Sequence, residues 1–290
     1  MSDRRRSVIL QRQKKRYFKM KIPFIKMHGA GNDYIYIDCC KMPVENLGDI
    51  HDLARRMSDR HFGVGGDGIV LIMPSDNGCD VRMRMFNSDG SEAEMCGNAS
   101  RCVAKYAYEH GVVKSQNFAL QTKAGVKKIS VSLRQDGSVE SATVDMGEPK
   151  ILDSTVKIPG GFQYTSVSMG NPHCVIFIDS TADAPVHTSG PEIEKFITAF
   201  PQKTNVEFAQ IVDSQTIRMR VWERGAGETL ACGTGACATL VAAVVNGHTD
   251  RRAVLHLLGG DLVIEWNKTT GRVLMTGPAE YVFEGEFFNA

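Results

Sequence analysis

Two cysteines in this chain stand where sulfur chemistry is favoured. Met95-Cys96-Gly97-Asn98-Ala99-Ser100-Arg101-Cys102 and Ala231-Cys232-Gly233-Thr234-Gly235-Ala236-Cys237 each place a thiol at the mouth of a helical stretch, followed by Gly, Asn or Thr, types that suit a helix start. A thiol there faces the positive end of the helix dipole and unpaired backbone N–H groups. Both favour the thiolate and predict a pKa lowered toward neutrality. The same N–H groups can hold a carboxylate. Two such helices facing each other would set two sulfurs on opposite faces of one carbon. One, as thiolate, removes a hydrogen while the other, as thiol, delivers a proton from the far side, and the centre inverts. Neither sulfur needs a metal or a cofactor for that step. An amino-acid α-hydrogen is so weakly acidic that a dry, prearranged cleft must supply much of the stabilisation, so closure on the substrate is expected.

The elements that must position these thiols come in two sets. Three motifs of the first half recur in order in the second, about 130 to 140 residues later. Gly31-Asn32 leads into Tyr34-Ile35-Tyr36-Ile37-Asp38, and Gly170-Asn171 into Cys174-Val175-Ile176-Phe177-Ile178-Asp179. Phe86, Glu92, Cys96 and Gly97 recur at an offset of 136 as Trp222, Glu228, Cys232 and Gly233. Asp145-Met146-Gly147-Glu148-Pro149 is echoed by Met275-Thr276-Gly277-Pro278. Alternating runs such as Ile129–Leu133 and Leu262–Trp266 read as strands, and helices are expected at 49–60, from Cys96 to about 109, at 190–199 and from Cys232 to about 245. The expectation is an α+β fold of two pseudo-symmetric lobes, each a mostly antiparallel sheet wrapped around a central helix, with the site in the cleft between them. The lobes are expected at 21–144 and 145–278, with 279–290 returning as a strand to the first.

Composition narrows the class. Of 290 residues, 42% are hydrophobic and 23% charged, ordinary for a globular protein, and no apolar run approaches the roughly 18 residues that span a bilayer. Residues 1–20 carry eight basic side chains against Asp3 alone, leaving the remainder at about −6 of a total +1. Such a leader could attract phosphates, but a disordered extension is the simpler reading, and Val8-Ile9-Leu10 is too short for a secretion signal. Eight cysteines in so long a chain suggest reduced thiols in a cytoplasm rather than a disulfide scaffold. Cys39, Cys40, Cys79, Cys102, Cys174 and Cys237 read as packing residues. The Cys96/Cys102 and Cys232/Cys237 spacings are not those of a zinc knuckle, so no metal is expected. Gly63-Val64-Gly65-Gly66-Asp67-Gly68 lacks the Lys-Ser/Thr end of a phosphate loop. Glu92 and Glu228 read as structural.

Taken together, Met27-His28-Gly29-Ala30-Gly31-Asn32-Asp33, Phe86 to Glu92, Cys96-Gly97-Asn98, Met169-Gly170-Asn171-Pro172-His173 and Glu223 to Thr229 followed by Cys232-Gly233 resemble diaminopimelate epimerase across nearly all of 21–290. The resemblance implies interconversion of LL- and meso-2,6-diaminoheptanedioate, on the way to lysine and peptidoglycan precursors, without a cofactor. Cys96 would be acid and Cys232 base in one direction, with roles exchanged in the other. It implies that Asn32, Asn87, Asn171 and Asn205 read the substrate's ammonium and carboxylate groups. Arg224 would pair with the distal carboxylate and Glu223 and His173 would support catalysis. The N–H groups of Gly97, Asn98, Gly233 and Thr234 would hold the reacting carboxylate. It also implies a homodimer, a small amino acid as partner, and neither nucleic acid nor membrane. One departure is Gly68, where several family members carry a substrate-contacting glutamine. Rival readings are a proline or hydroxyproline racemase of the same superfamily and a non-catalytic amino-acid-binding relative.

Overall fold

The computed structural model describes residues 20–152 and 154–289; the basic segment expected at 1–20 lies outside them except for Met20. The first half lays down seven strands side by side: Met20–Gly29, Asn32–Asp38, Gly68–Met73, Val81–Asn87, Asn117–Thr122, Gly125–Leu133 and Val139–Gly147. The second half repeats the order with Thr165–Ser168, Pro172–Phe177, Asn205–Asp213, Thr216–Glu223, Arg252–Leu257, Gly260–Trp266 and Val273–Gly277. In both halves the second strand runs parallel to the third and the fourth parallel to the fifth, and every other step is antiparallel. Two pseudo-symmetric sheets result, as the repeated motifs predict.

The parallel steps explain the helices. Parallel neighbours cannot be joined by a tight turn and need a crossover. Each half has two such steps and two crossover helices. In the first half these are α1 (Ile50–Ser58) and α2 (Gly97–Glu109). In the second they are α3 (Val186–Glu194) and α4 (Gly233–Val245). α2 is buried from Gly97 to Ala107, and on α4 every residue from Gly233 to Ala243 is buried except Thr234. A helix enclosed on all sides must be apolar and slim around its circumference, which accounts for the Ala, Gly, Cys and Val of α4. One apolar core spans both central helices, joining Val103 and Tyr106 of α2 to Leu240 and Val241 of α4. Smaller cores lie under α1, around Leu53 and Met57, and under α3, around Ile193 and Phe208.

The two sheets meet along a seam. Val139–Gly147 pairs antiparallel with Val273–Gly277, and the hydroxyls of Thr143 and Thr276 approach to 2.7 Å across it. The lobe boundary expected at 144/145 therefore falls inside a strand. Glu280–Asn289 pairs with Met20–Gly29, so the chain's last described strand lies against its first.

The third helix differs from its expected range of 190–199, ending at Glu194 and starting at Val186. Gly190 and Pro191 lie within the helix, and Gly190 packs against Trp222. A Cβ at Gly190 would come within 2.7 Å of the Trp222 Cβ. Trp222 Nε1 then donates to Glu194 Oε2 at 2.8 Å, fixing the helix's end. Among the described residues no helix is long and apolar enough to cross a membrane.

Candidate active site

Each of the two cysteines is the last extended residue before a central helix. Cys96 (φ −132°, ψ 125°) caps α2 and Cys232 (φ −113°, ψ 107°) caps α4. No hydroxyl or carboxylate fills the capping position; on α4 the Gly235 N–H lies 3.4 Å from the Cys232 sulfur, which accepts it. A short hairpin delivers each thiol to its helix. In the first half Phe86 pairs with Glu92 and Arg84 Nε bonds Glu92 Oε1 at 2.8 Å. In the second Trp222 pairs with Glu228 and Arg220 Nε bonds Glu228 Oε1 at 2.7 Å. Glu92 and Glu228 are thus braces for the approach to the thiols.

The two helix mouths converge. A Cβ on Gly97 would come within 2.5 Å of Met275 Cε, and one on Gly233 within 2.9 Å of Met275 Sδ. Both helix starts therefore close on the same side chain from the seam strand, and a Cβ at either would push the end of Met275 aside. A hydrogen-bond chain joins them as well. The Cys96 S–H donates to Asn32 Oδ1 at 3.3 Å, and Asn98 Nδ2 donates to that oxygen at 3.4 Å and to the carbonyl of Ala231, the residue before Cys232, at 3.3 Å.

Beside the thiols a cleft of about 1180 Å³ separates the halves. His28, Asn32, Tyr34, Arg60, Asp67 and Asn87 line one wall, and Glu223, Arg224, Thr229 and Ala231 the other. Asn32 is fixed by its Nδ2 donating to Asp67 Oδ2 at 2.6 Å. Arg60 spans Asp33 (2.7 Å) and Asp67 (2.9 Å), and buried Lys26 meets Asp33 at 2.5 Å. Burial works against ionisation of Asp33, but Arg60 and Lys26 hold it below the usual carboxylate range, while burial and the Asp33 charge push Asp67 up. Asn87 Nδ2 donates to Ser91 Oγ at 3.0 Å. On the opposite side Asn171 Nδ2 donates to Thr234 Oγ1 at 3.3 Å. Asn171 Oδ1 lies 3.2 Å from His173 Nε2, and His173 Nδ1 lies 2.7 Å from Glu207 Oε1, with both His173 and Glu207 fully buried. Glu223 accepts from the Thr229 hydroxyl at 2.5 Å, and Arg224, exposed at the rim, donates to the Gln202 carbonyl at 2.9 Å.

Asn205 stands behind Arg224. Its Nδ2 donates to the Pro172 carbonyl at 3.0 Å and its Oδ1 accepts the Arg224 N–H at 2.9 Å. Asn205 thus ties the Arg224 backbone to the His173 strand. Gly68 is forced by packing, since a Cβ there would fall 2.0 Å from the Phe86 carbonyl oxygen. No glutamine fits at 68 with this backbone. Glu207, Arg60 and Asp67 escape sequence reasoning because His173, Asp33 and Asn32, which they hold, lie 27 to 35 residues away in the chain, and Thr229 because its hydroxyl bonds Glu223 only once the hairpin forms. The glutamate beside an asparagine at strand start 205–207 is the one signal that marks Glu207.

The expected lowering of the thiol pKa is not what the structure gives. Burial pushes Cys96 up, and the N–H groups of Ala99 and Asn98 offset only part of it. Burial pushes Cys232 well above the ordinary thiol range, with Glu223 and Glu207 adding to it and Thr234 and the Gly235 N–H opposing. The helix-start N–H groups are present, but loss of water outweighs them. Burial likewise raises the Glu223 carboxyl, against donation from Thr229 and Cys232.

The comparisons with known proteins agree with this arrangement. The sequence profile of the family described as diaminopimelate epimerase matches residues 24–152 and 165–282. The diaminopimelate epimerase of Pelotomaculum thermopropionicum is 53% identical over 279 residues, covering 91% of this chain and 98% of that one. That of Acetivibrio thermocellus is 50% identical over 278 residues, covering 91% and 97%. Among solved structures, a PhzF-family phenazine biosynthesis protein of Bacillus anthracis shares the fold (TM-score 0.72, 15% identity, 92% of this chain and 99% of that one). So does a hydroxyproline epimerase of Agrobacterium vitis (TM-score 0.64, 16% identity, 93% of each chain). With its profile match, its relatives at half identity or more and its paired helix-capping cysteines, the chain belongs to the diaminopimelate epimerase family.

Proposed function

We propose that this chain interconverts LL- and meso-2,6-diaminoheptanedioate through Cys96 and Cys232, without a cofactor. One sulfur, as thiolate, takes the α-hydrogen as a proton, leaving the electron pair on carbon. The other, as thiol, donates its proton to the opposite face. The backbone N–H groups of Gly97, Asn98, Gly233 and Thr234 hold the reacting carboxylate while charge spreads onto it. Asn32, Asn87, Asn171 and Asn205 read the substrate's polar groups, Arg224 meets the distal carboxylate as a two-pronged donor, and Glu223 and His173 support the reacting centre. The observation that carries this reading is the convergence of two helix-capping thiols, linked by Asn98 and closed on Met275, beside one cleft.

The raised thiol pKa values suit the task. An α-hydrogen is far less acidic than a thiol, so a sulfur destabilised as thiolate is the stronger base and narrows that mismatch. Closure of the halves would remove the remaining water. The chain works as a cytoplasmic homodimer in this reading: all eight cysteines are free, as suits a reducing compartment, and the strand Glu280–Asn289 leaves Val282, Phe283 and Phe288 exposed for a second copy.

Incubation in deuterated water tests the substrate assignment. Diaminoheptanedioate takes up α-deuterium, while proline and hydroxyproline take up none. Uptake into the ring amino acids alone would overturn the reading in favour of the racemase of that class.

A further inference from the structure

Matched strand for strand, the two halves differ beside the second thiol. In the first half Tyr34 pairs with Gly68 and Ile69 with Phe86; in the second His173 pairs with Asn205 and Val206 with Trp222. By that register Tyr34 answers to His173 and Val70 to Glu207. Tyr34 and Val70 belong to the apolar core, and so do Val175, Ala209 and Val221, the neighbours of Glu207 on its own sheet face. An aliphatic side chain therefore fills this place in one half, while the other puts a carboxyl there, fully buried against an equally buried His173. A glutamate is rarely enclosed without a partner, and a buried acid–base pair adds little to stability over well-packed aliphatic side chains. The fold does not need this carboxyl, so its use is local.

The contacts of Glu207 lead to Cys232. Glu207 Oε1 lies 2.7 Å from His173 Nδ1, and His173 Nε2 lies 3.2 Å from Asn171 Oδ1. Asn171 Nδ2 donates to the Thr234 hydroxyl at 3.3 Å, and that hydroxyl stands 3.6 Å from the Cys232 sulfur. The carboxyl also reaches the first turn of α4 directly. A Cβ on Gly235 would come within 2.7 Å of Glu207 Oε1 and 3.2 Å of the Cys232 sulfur, so carboxyl and sulfur flank the same glycine. Glu207 Oε2 is buried with no hydrogen-bond partner among the described residues, which leaves the Nδ1 contact as the carboxyl's hydrogen bond. A carboxylate only accepts, so beside it His173 carries a proton on Nδ1 and turns Nε2 to Asn171. Cys96 is served differently, its S–H donating straight to Asn32 Oδ1.

We infer that Glu207 is a positioning residue for the reaction. Its carboxylate holds the His173 imidazole by Nδ1, which fixes Nε2 on Asn171 and, through Asn171, the Thr234 hydroxyl beside Cys232. A carboxylate behind a histidine acts in this way by setting tautomer and orientation without touching substrate. The inference rests on the two-thiol reading above. Without the carboxylate the ring is free to turn, and Asn171 loses its brace on the side of the cleft that Cys232 serves. The loss falls on turnover rather than on binding, because Arg224, which meets the distal carboxylate in that reading, takes no part in the chain.

The test compares Glu207→Val with Glu207→Gln in the intact protein, epimerisation of LL-diaminoheptanedioate being resolved into kcat and KM. Valine is what the first half carries at this place, so the Val variant is expected to fold. Its kcat is expected to fall about 10- to 100-fold while KM changes less than about threefold. Glutamine keeps an acceptor oxygen for Nδ1, so Glu207→Gln is expected to hold kcat within about fivefold of the wild type. An unchanged kcat in the Val variant overturns the inference, as does a loss confined to KM or a Gln variant that falls as far as Val. If the Val variant does not fold, NMR of protein labelled with nitrogen-15 in histidine still decides. One ring N–H proton, held by the carboxylate, is expected far downfield and should move upfield in Glu207→Gln; identical spectra overturn the inference. α-Deuterium uptake by the wild type separates the two ideas. Uptake beside an unchanged Val variant strikes Glu207 and leaves the thiols in place, whereas no uptake removes the two-thiol reading while the NMR comparison still judges the hold on His173.

Discussion

Glu223 is the residue whose neighbours say most about proton traffic. Its charge stands against ionisation of both cysteines, so Glu223→Gln should lower the pH at which Cys232 becomes reactive toward alkylation. On the proposed reading, in which the carboxyl supports the reacting centre, it should also reduce turnover. An unmoved Cys232 midpoint would remove Glu223 from the thiol's surroundings. The raised thiols set the sign of the pH profile. One sulfur must be ionised to act, and burial pushes both above the ordinary thiol range, so kcat/KM should climb as pH rises from 6 into the alkaline range. A flat profile across that range would mean that thiolate formation is not required. At this scale the sequence identifies the thiols because they are repeated and open helices. It cannot identify what faces them, since Arg60, Asp67 and Glu207 reach the site from segments far apart in the chain. It also misjudges the thiol pKa, because helix position is local and readable whereas desolvation is a property of the assembled fold.

At the scale of elements, the repeated strand order and the two central helices follow from motifs that recur at matching intervals. The ends of α3 do not, because Trp222 from another element decides where Gly190 packs. Two substitutions test the packing account. Leu240→Ala opens a hole at a fully buried position of α4 and should destabilise the fold by about 2–5 kcal/mol, measured as a drop in the denaturation midpoint. A loss well under 1 kcal/mol would mean that α4 is not the centre of the core. Gly68→Ala puts a Cβ against a carbonyl that cannot swing aside, so it should cost about 1–3 kcal/mol even though alanine is small. An unchanged melting temperature would contradict the close approach of Phe86.

For the whole molecule, the seam between Val139–Gly147 and Val273–Gly277 matters most, since it holds the helix mouths against Met275 while leaving a cleft beside them. The internal repeat makes this organisation legible from the chain alone, down to which motif of one half answers which of the other. The repeat does not reveal how its halves differ, and the buried His173–Glu207 pair beside Cys232 emerges only once the strands are folded together. The central claim is that two sulfurs act on one carbon from opposite faces. It is tested most directly by assaying Cys96→Ser and Cys232→Ser separately for epimerisation of LL-diaminoheptanedioate, with substrate binding measured in parallel. Each variant is predicted to bind substrate and to lose at least about a hundredfold in turnover, because a serine hydroxyl is a far weaker acid than a thiol. Undiminished turnover in either variant would contradict the account.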